Sequence, residues 1–267
     1  MPYWTIILLG AFAGLTIYLG LPFARLRNPP RTLQAFLNAL STGILVFLLY
    51  DVLSQASEPI GAALTSAKAA HGSLAPVIGD VALLAVGLGI GLLGLVYFNK
   101  FVIARFKPQV TGTAITEVNP RYLALMIAAG IGLHNFSEGL AIGQSASIGE
   151  LQLAWILIIG FGLHNMTEGF GIAGPMSGSR ASWGFIGLAG LIGGGPTFLG
   201  TLLGVSVHSP QVFILFLALA AGAIIYVVAE LLAVARRFKA QDVIMWGLLA
   251  GFLLGYCTDL IVTFAGS

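Results

Sequence analysis

Eight stretches of this chain are too long and too apolar to have water as their solvent. They run over 3–23, 33–54, 74–98, 121–145, 151–176, 182–205, 211–234 and 242–265, separated by short polar breaks. A helix needs about 20 apolar residues to cross the hydrocarbon core of a bilayer, and each stretch reaches that length. In lipid every backbone N–H and C=O must be satisfied inside the protein, which leaves helices or a closed barrel. Runs this long are helices. The expectation is an all-α polytopic membrane protein with eight transmembrane helices, folded as one transmembrane domain over 1–267. Composition agrees, with only 8% charged residues and a mean hydropathy of +0.97, against about 25% charged in a soluble domain. The 36 glycines fall largely inside the runs, where small residues let helices pack closely.

The same inventory excludes several classes. A single cysteine, Cys257, rules out a disulfide framework within the chain and a cysteine-rich metal cluster. A net charge of +2 is too small to recruit nucleic acid. The opening MPYWTIILLG has no basic residue ahead of its apolar run, so it reads as a retained first span rather than a cleaved signal.

Eleven of the twelve Lys and Arg fall on one side of the predicted layout. Arg25, Arg27 and Arg31 lie between spans 1 and 2, and Lys100, Arg105, Lys107 and Arg121 between spans 3 and 4. Arg180 lies between spans 5 and 6, and Arg236, Arg237 and Lys239 between spans 7 and 8. Only Lys68 lies opposite. The positive-inside rule places the basic loops in the cytoplasm. With an even number of spans, both termini are then outside, in a prokaryotic plasma membrane.

Two internal repeats sharpen this picture. GIGLHNFSEG (130–139) and GFGLHNMTEG (160–169) agree at seven of ten positions, 30 residues apart. ALSTGILVFLLYDVL (39–53) resembles ALAAGAIIYVVAELL (218–232), aligning Gly43 with Gly222 and Asp51 with Glu230. Spans 2 and 7 run in opposite directions, so the second repeat is inverted, as in many secondary transporters.

The first repeat carries the chemistry. His134 and Glu138 are spaced i, i+4 and share one helical face; His164 and Glu168 repeat the spacing, with Asn135 and Asn165 beside the histidines. Spans 4 and 5 are antiparallel neighbours, and mid-span motifs on such a pair meet at one depth. A carboxylate at a span centre costs about 2.5–3.5 kcal/mol on insertion scales, and no Lys or Arg lies at that depth in any predicted span. Neutralisation falls to protons or to a bound cation. Imidazole with carboxylate suits zinc, iron, manganese, cobalt or nickel, while magnesium and calcium prefer oxygen alone. Two carboxylates balance one divalent ion. Asp51, Asp80 and Asp259 sit toward the outer ends of their spans and Glu230 toward an inner end, where acids draw cations into a path. His71 and His208 read as solvated loop residues.

At HNFSEG and HNMTEG the sequence resembles the ZIP (Zrt-, Irt-like) family of divalent metal transporters, and with the span count and the span 2 and 7 motifs the resemblance covers the whole chain. It implies a 3+2+3 arrangement: spans 1–3 (1–98) and 6–8 (182–267) are inverted repeats around the metal-bearing pair (121–176). It also implies elevator-type alternating access, a homodimer, and transport-site ligands at His134, Asn135, Glu138, His164, Asn165 and Glu168. The metal is then a substrate, and the protein needs no cofactor and is not an enzyme. Ser137 and Thr167 stand where the family usually has proline, and Thr197 where many bacterial members have a span 6 glutamate for a second metal. One metal site is therefore expected, not two. The loop at 99–120 lacks a histidine run. The competing readings are an intramembrane zinc-dependent hydrolase, although H-E-x-x-H is absent, a membrane metal sensor, and a channel.

Overall fold

The computed structural model describes residues 3–26, 30–105, 119–147, 158, 162, 165–176, 178–206 and 209–266. Among these, helices dominate and no strand occurs. Span 1 comprises α1 (Tyr3–Leu15), α2 (Ile17–Gly20) and a 3-10 turn at Leu21–Arg25. Spans 2, 3 and 4 are α3 (Arg31–Ala69), α4 (Ala75–Arg105) and α5 (Pro120–Ser147). The described part of span 5 is helical over 165–173, here α6, and closes in a 3-10 turn at Gly174–Met176. Spans 6, 7 and 8 are α7 (Trp183–Gly204), α8 (Pro210–Arg236) and α9 (Gln241–Gly266). Seven of these are long and apolar enough to cross a membrane; the first part of span 5 lies outside the described residues.

The expected boundaries need correction after spans 2 and 3. The apolar run of span 2 ends near residue 54, but α3 continues to Ala69, giving 39 residues or about 58 Å. That is roughly twice the hydrocarbon thickness. Residues 55–69 are mostly exposed, with Pro59 inside the helix. Loss of apolar character marks where lipid ends, not where the backbone ladder ends. The helix stops at Ala70, followed by His71 in the left-handed region at φ 47° and then Gly72. In the same way α4 runs on to Arg105.

Packing follows an inverted plan. α3 lies against α9 and α8, α4 against α8, α1 against α7, and α5 against α7 and α8. The matched glycines of spans 2 and 7 make the relation concrete. A Cβ at Gly43 would strike the Leu248 carbonyl of α9, beside Gly251 and Phe252. A Cβ at Gly222 would strike the Leu88 carbonyl of α4, beside Gly91 and Leu92. The α3–α9 and α8–α4 pairs thus close through equivalent contacts.

Spans 1 and 6 form a third repeat, whose residue matches the sequence alone did not bring out. At an offset of 180, Gly10, Gly14, Leu19 and Gly20 align with Gly190, Gly194, Leu199 and Gly200. Gly14 and Gly194 face each other, each backed against the other's carbonyl. Gly20 meets Met166 of α6 as Gly200 meets Phe136 of α5, and those two residues are again 30 apart. Span 1 therefore holds span 5 as span 6 holds span 4. The break at Thr16 between α1 and α2 aligns with Pro196 inside α7. The faces left over carry exposed Leu8, Phe12, Ile78, Val86, Ile90, Leu191 and Phe264, the surface expected against lipid.

Candidate metal centre

α5 runs unbroken through the first motif and buries His134, Asn135, Ser137 and Glu138, at 0, 0, 1 and 3% exposure. α6 buries Asn165, Thr167 and Glu168, and α7 adds buried Thr197 and Thr201. Where Ser137 and Thr167 replace proline, the backbone keeps its N–H, so no carbonyl is released and no ring clash bends the helix. No Lys or Arg among the described residues is buried.

The two asparagines set the geometry. Asn135 Nδ2 donates to Glu168 Oε2 at 2.9 Å and to the Gly193 carbonyl at 3.0 Å. Asn165 Nδ2 donates to the Ala13 carbonyl at 3.1 Å, and its side chain also neighbours Glu138. Ala13 and Gly193 are equivalent under the 180-residue offset, so each motif asparagine is strapped to the matching carbonyl of span 1 or span 6. A carbonyl can be met only by the NH₂ end of an amide, which fixes both side chains against a flip. Their Oδ1 atoms are left buried without a hydrogen-bond partner, as are Glu138 Oε2, Ser137 Oγ and Thr197 Oγ1. Buried acceptors left unmet cost roughly 1–3 kcal/mol each, and a cation is the natural partner for a group of them.

His134 Nε2 lies 3.4 Å from Glu138 Oε1, the i, i+4 contact expected. Asp51, half-buried on α3, accepts from Gln55 Nε2 at 2.8 Å. It is close enough to interact electrostatically with His134, Glu138 and Glu168, and with Asp259 on α9. The structure thus gathers His134, Asn135, Glu138, Asn165 and Glu168, with Asp51 above them and Asp259 beside Asp51. His164 and His208 lie outside the described residues. Among the described residues, no three His, Cys, Asp or Glu side chains close on one point as a finished metal shell; the amides stand between the carboxylates as hydrogen-bond donors and as spare oxygens.

The other two acids expected along the path make contacts outside this cluster. Asp80 is 8% exposed and accepts from Gln211 Nε2 of α8 at 3.2 Å, which ties span 3 to span 7. Glu230 interacts with Tyr122 at the start of α5, a dozen residues and about 18 Å before His134. The sequence reading also passed over Asn38, 2% exposed, whose Nδ2 donates to the Leu231 carbonyl at 3.1 Å. Its signal was plain: one amide inside an apolar run.

Comparison with known proteins agrees with this architecture. A model of the ZIP zinc transporter family matches residues 107–258. The chain is 32% identical over 271 residues to a zinc transporter ZupT of Shigella flexneri serotype 5b, covering 96% of this chain and 97% of that relative. ZupT of Escherichia coli O7:K1 matches to the same extent. ZupT of Enterobacter sp. is 37% identical over 186 residues, covering 65% of this chain and 70% of the relative. These relatives are transporters by name, which removes the basis of the hydrolase reading. With a match along nearly its whole length, this integral membrane chain belongs to the ZIP family and transports divalent metal cations.

Proposed function

We propose that the chain carries zinc, the metal in its relatives' names, across a bacterial inner membrane through one site. That site is formed by His134, Asn135 and Glu138 of span 4 with His164, Asn165 and Glu168 of span 5. The observation carrying this reading is the strapped amide pair: both donor ends are spent on span 1 and span 6 carbonyls, leaving two oxygens beside two carboxylates, with no buried Lys or Arg among the described residues. Nitrogen from imidazole with carboxylate and amide oxygen suits a first-row divalent ion. Thr197 carries no charge to hold a second one.

In this reading the basic loops are cytoplasmic and both termini external, in accord with the one-sided distribution of Lys and Arg. Asp51 and Asp259 capture the ion on the outer side, and Glu230 and Asn38 lie on the inner route. Transport is of the alternating-access, elevator type, and the homodimer implied by the family resemblance belongs to the same proposal. The test is uptake of radioactive zinc by proteoliposomes containing Glu138→Ala or Glu168→Ala. Each substitution is expected to reduce uptake to the protein-free background; wild-type rates from both would remove the assigned site.

A further inference from the structure

A groove between the end of α8 and the start of α9 lies apart from the residues assigned to the metal centre. Its floor is apolar, from Leu232 and Ala235 of α8 and Ile244 and Met245 of α9, and its mouth carries Arg236 and Lys239. The space is about 670 Å³. Met245 is 51% exposed, so the apolar floor reaches the lipid-facing surface. Arg236 and Lys239 are exposed, and neither has an acidic partner among the described residues. Asp242, in the first turn of α9, does not line the groove.

This pairing of features is specific in its chemistry. Two cations over an apolar trough lie at the end of two spans, on the face where the other basic loops also lie. A soluble anion would use the cations and leave the trough unfilled. A zwitterionic lipid would fill the trough but offer its own ammonium to Arg236 and Lys239. An anionic phospholipid satisfies both, its phosphate between the basic side chains and an acyl chain along Leu232, Ile244 and Met245. Basic pockets between spans on the cytoplasmic side are the usual form of such sites. We propose that the α8–α9 groove binds one anionic phospholipid, held by Arg236 and Lys239. The proposal requires only that the chain spans a membrane, so it survives failure of the metal-site assignment.

The experiment is native mass spectrometry of the full, delipidated protein titrated with phosphatidylglycerol or phosphatidylcholine. The wild type is expected to bind one phosphatidylglycerol at least tenfold more tightly than phosphatidylcholine. Arg236→Gln with Lys239→Gln is expected to abolish that preference, while Arg121→Gln with Arg180→Gln, the same loss of charge at other basic loops, preserves it. Equal loss in both double variants would mean diffuse attraction and would overturn the site. So would competition by inorganic phosphate at the affinity of the lipid, since the headgroup alone would then suffice. A position-specific measurement covers the case of a misfolded double variant. Met245→Trp is expected to add fluorescence that brominated phosphatidylglycerol quenches and brominated phosphatidylcholine does not; equal quenching by both refutes the proposal.

Discussion

Replacing Asn135 with alanine separates the two roles the structure gives that side chain. As a strap, its Nδ2 holds Glu168 Oε2 and the Gly193 carbonyl. Without metal the buried carboxylates are neutralised by protons, and a hydrogen bond between neutral groups is worth about 0.5–1.5 kcal/mol, so loss of the two should cost the metal-free protein about 1–3 kcal/mol. As a ligand, its Oδ1 is one of the spare oxygens. Losing one neutral oxygen is expected to weaken zinc about tenfold, or about 1.4 kcal/mol. At a zinc concentration about 100 times the wild-type Kd, binding stabilises the wild type by about 2.7 kcal/mol. The same concentration is only about ten times the variant's Kd, and the increment falls to about 1.4 kcal/mol. The assay is unfolding in mixed detergent micelles, followed by tryptophan fluorescence, with and without zinc. An unchanged metal-free stability refutes the strap. A full zinc increment on a weakened protein refutes the ligand and leaves Asn135 as a strap alone.

Two further outcomes test the packing and the site count. Gly14→Ala and Gly194→Ala each drive a methyl into the opposing carbonyl and should destabilise by about 1–3 kcal/mol. Gly184→Ala and Gly187→Ala meet nothing within 4 Å and should stabilise by up to about 1 kcal/mol through helix propensity; detergent unfolding that fails to show opposite signs would contradict the span 1–span 6 contact. Thr197→Val removes a buried hydroxyl that has no partner, so stability should hold or rise and zinc uptake should be unchanged. A fall in uptake would place that hydroxyl on the metal.

The spans, the motif pair and the span 2–span 7 repeat were legible because each is written in residue types that lipid makes costly or distinctive. A run of 20 apolar residues has one solvent, and His-Asn-x-x-Glu inside such a run has few uses. The span 1–span 6 repeat is just as real in space, yet its matched residues are glycines and a leucine in a chain holding 36 glycines. Identity among common residues carries little signal. The straps at Ala13 and Gly193 were unreadable for another reason: the acceptors are backbone carbonyls, and any residue supplies one. The continuation of α3 to Ala69 was missed because hydropathy reports the solvent around a helix and not its hydrogen bonds. The Asp80–Gln211 contact was unreadable because a carboxylate near a span end looks the same whether it faces an ion or an amide across a helix pair.

The repeats also bear on the proposed alternating access. Asp51 and Glu230 are matched residues on spans of opposite direction, so a symmetric arrangement would set them at equal distances from a centre carried by spans 4 and 5. They are not equal: Asp51 is within electrostatic range of His134, Glu138 and Glu168, whereas Glu230 meets Tyr122 near the far end of α5. The motif-bearing pair therefore lies nearer to Asp51 of span 2 than to Glu230 of span 7. Exchanging the roles of the two inverted halves would produce the opposite arrangement, with Glu230 near the centre and Asp51 remote. The glycines of spans 3, 7, 2 and 8 lock those helices to one another, and spans 1 and 6 are locked to spans 5 and 4; Gly174 against Ser41 and Gly130 beside Ala223 join the two groups. The proposed alternating access would exchange these last contacts while keeping the glycine-locked pairs.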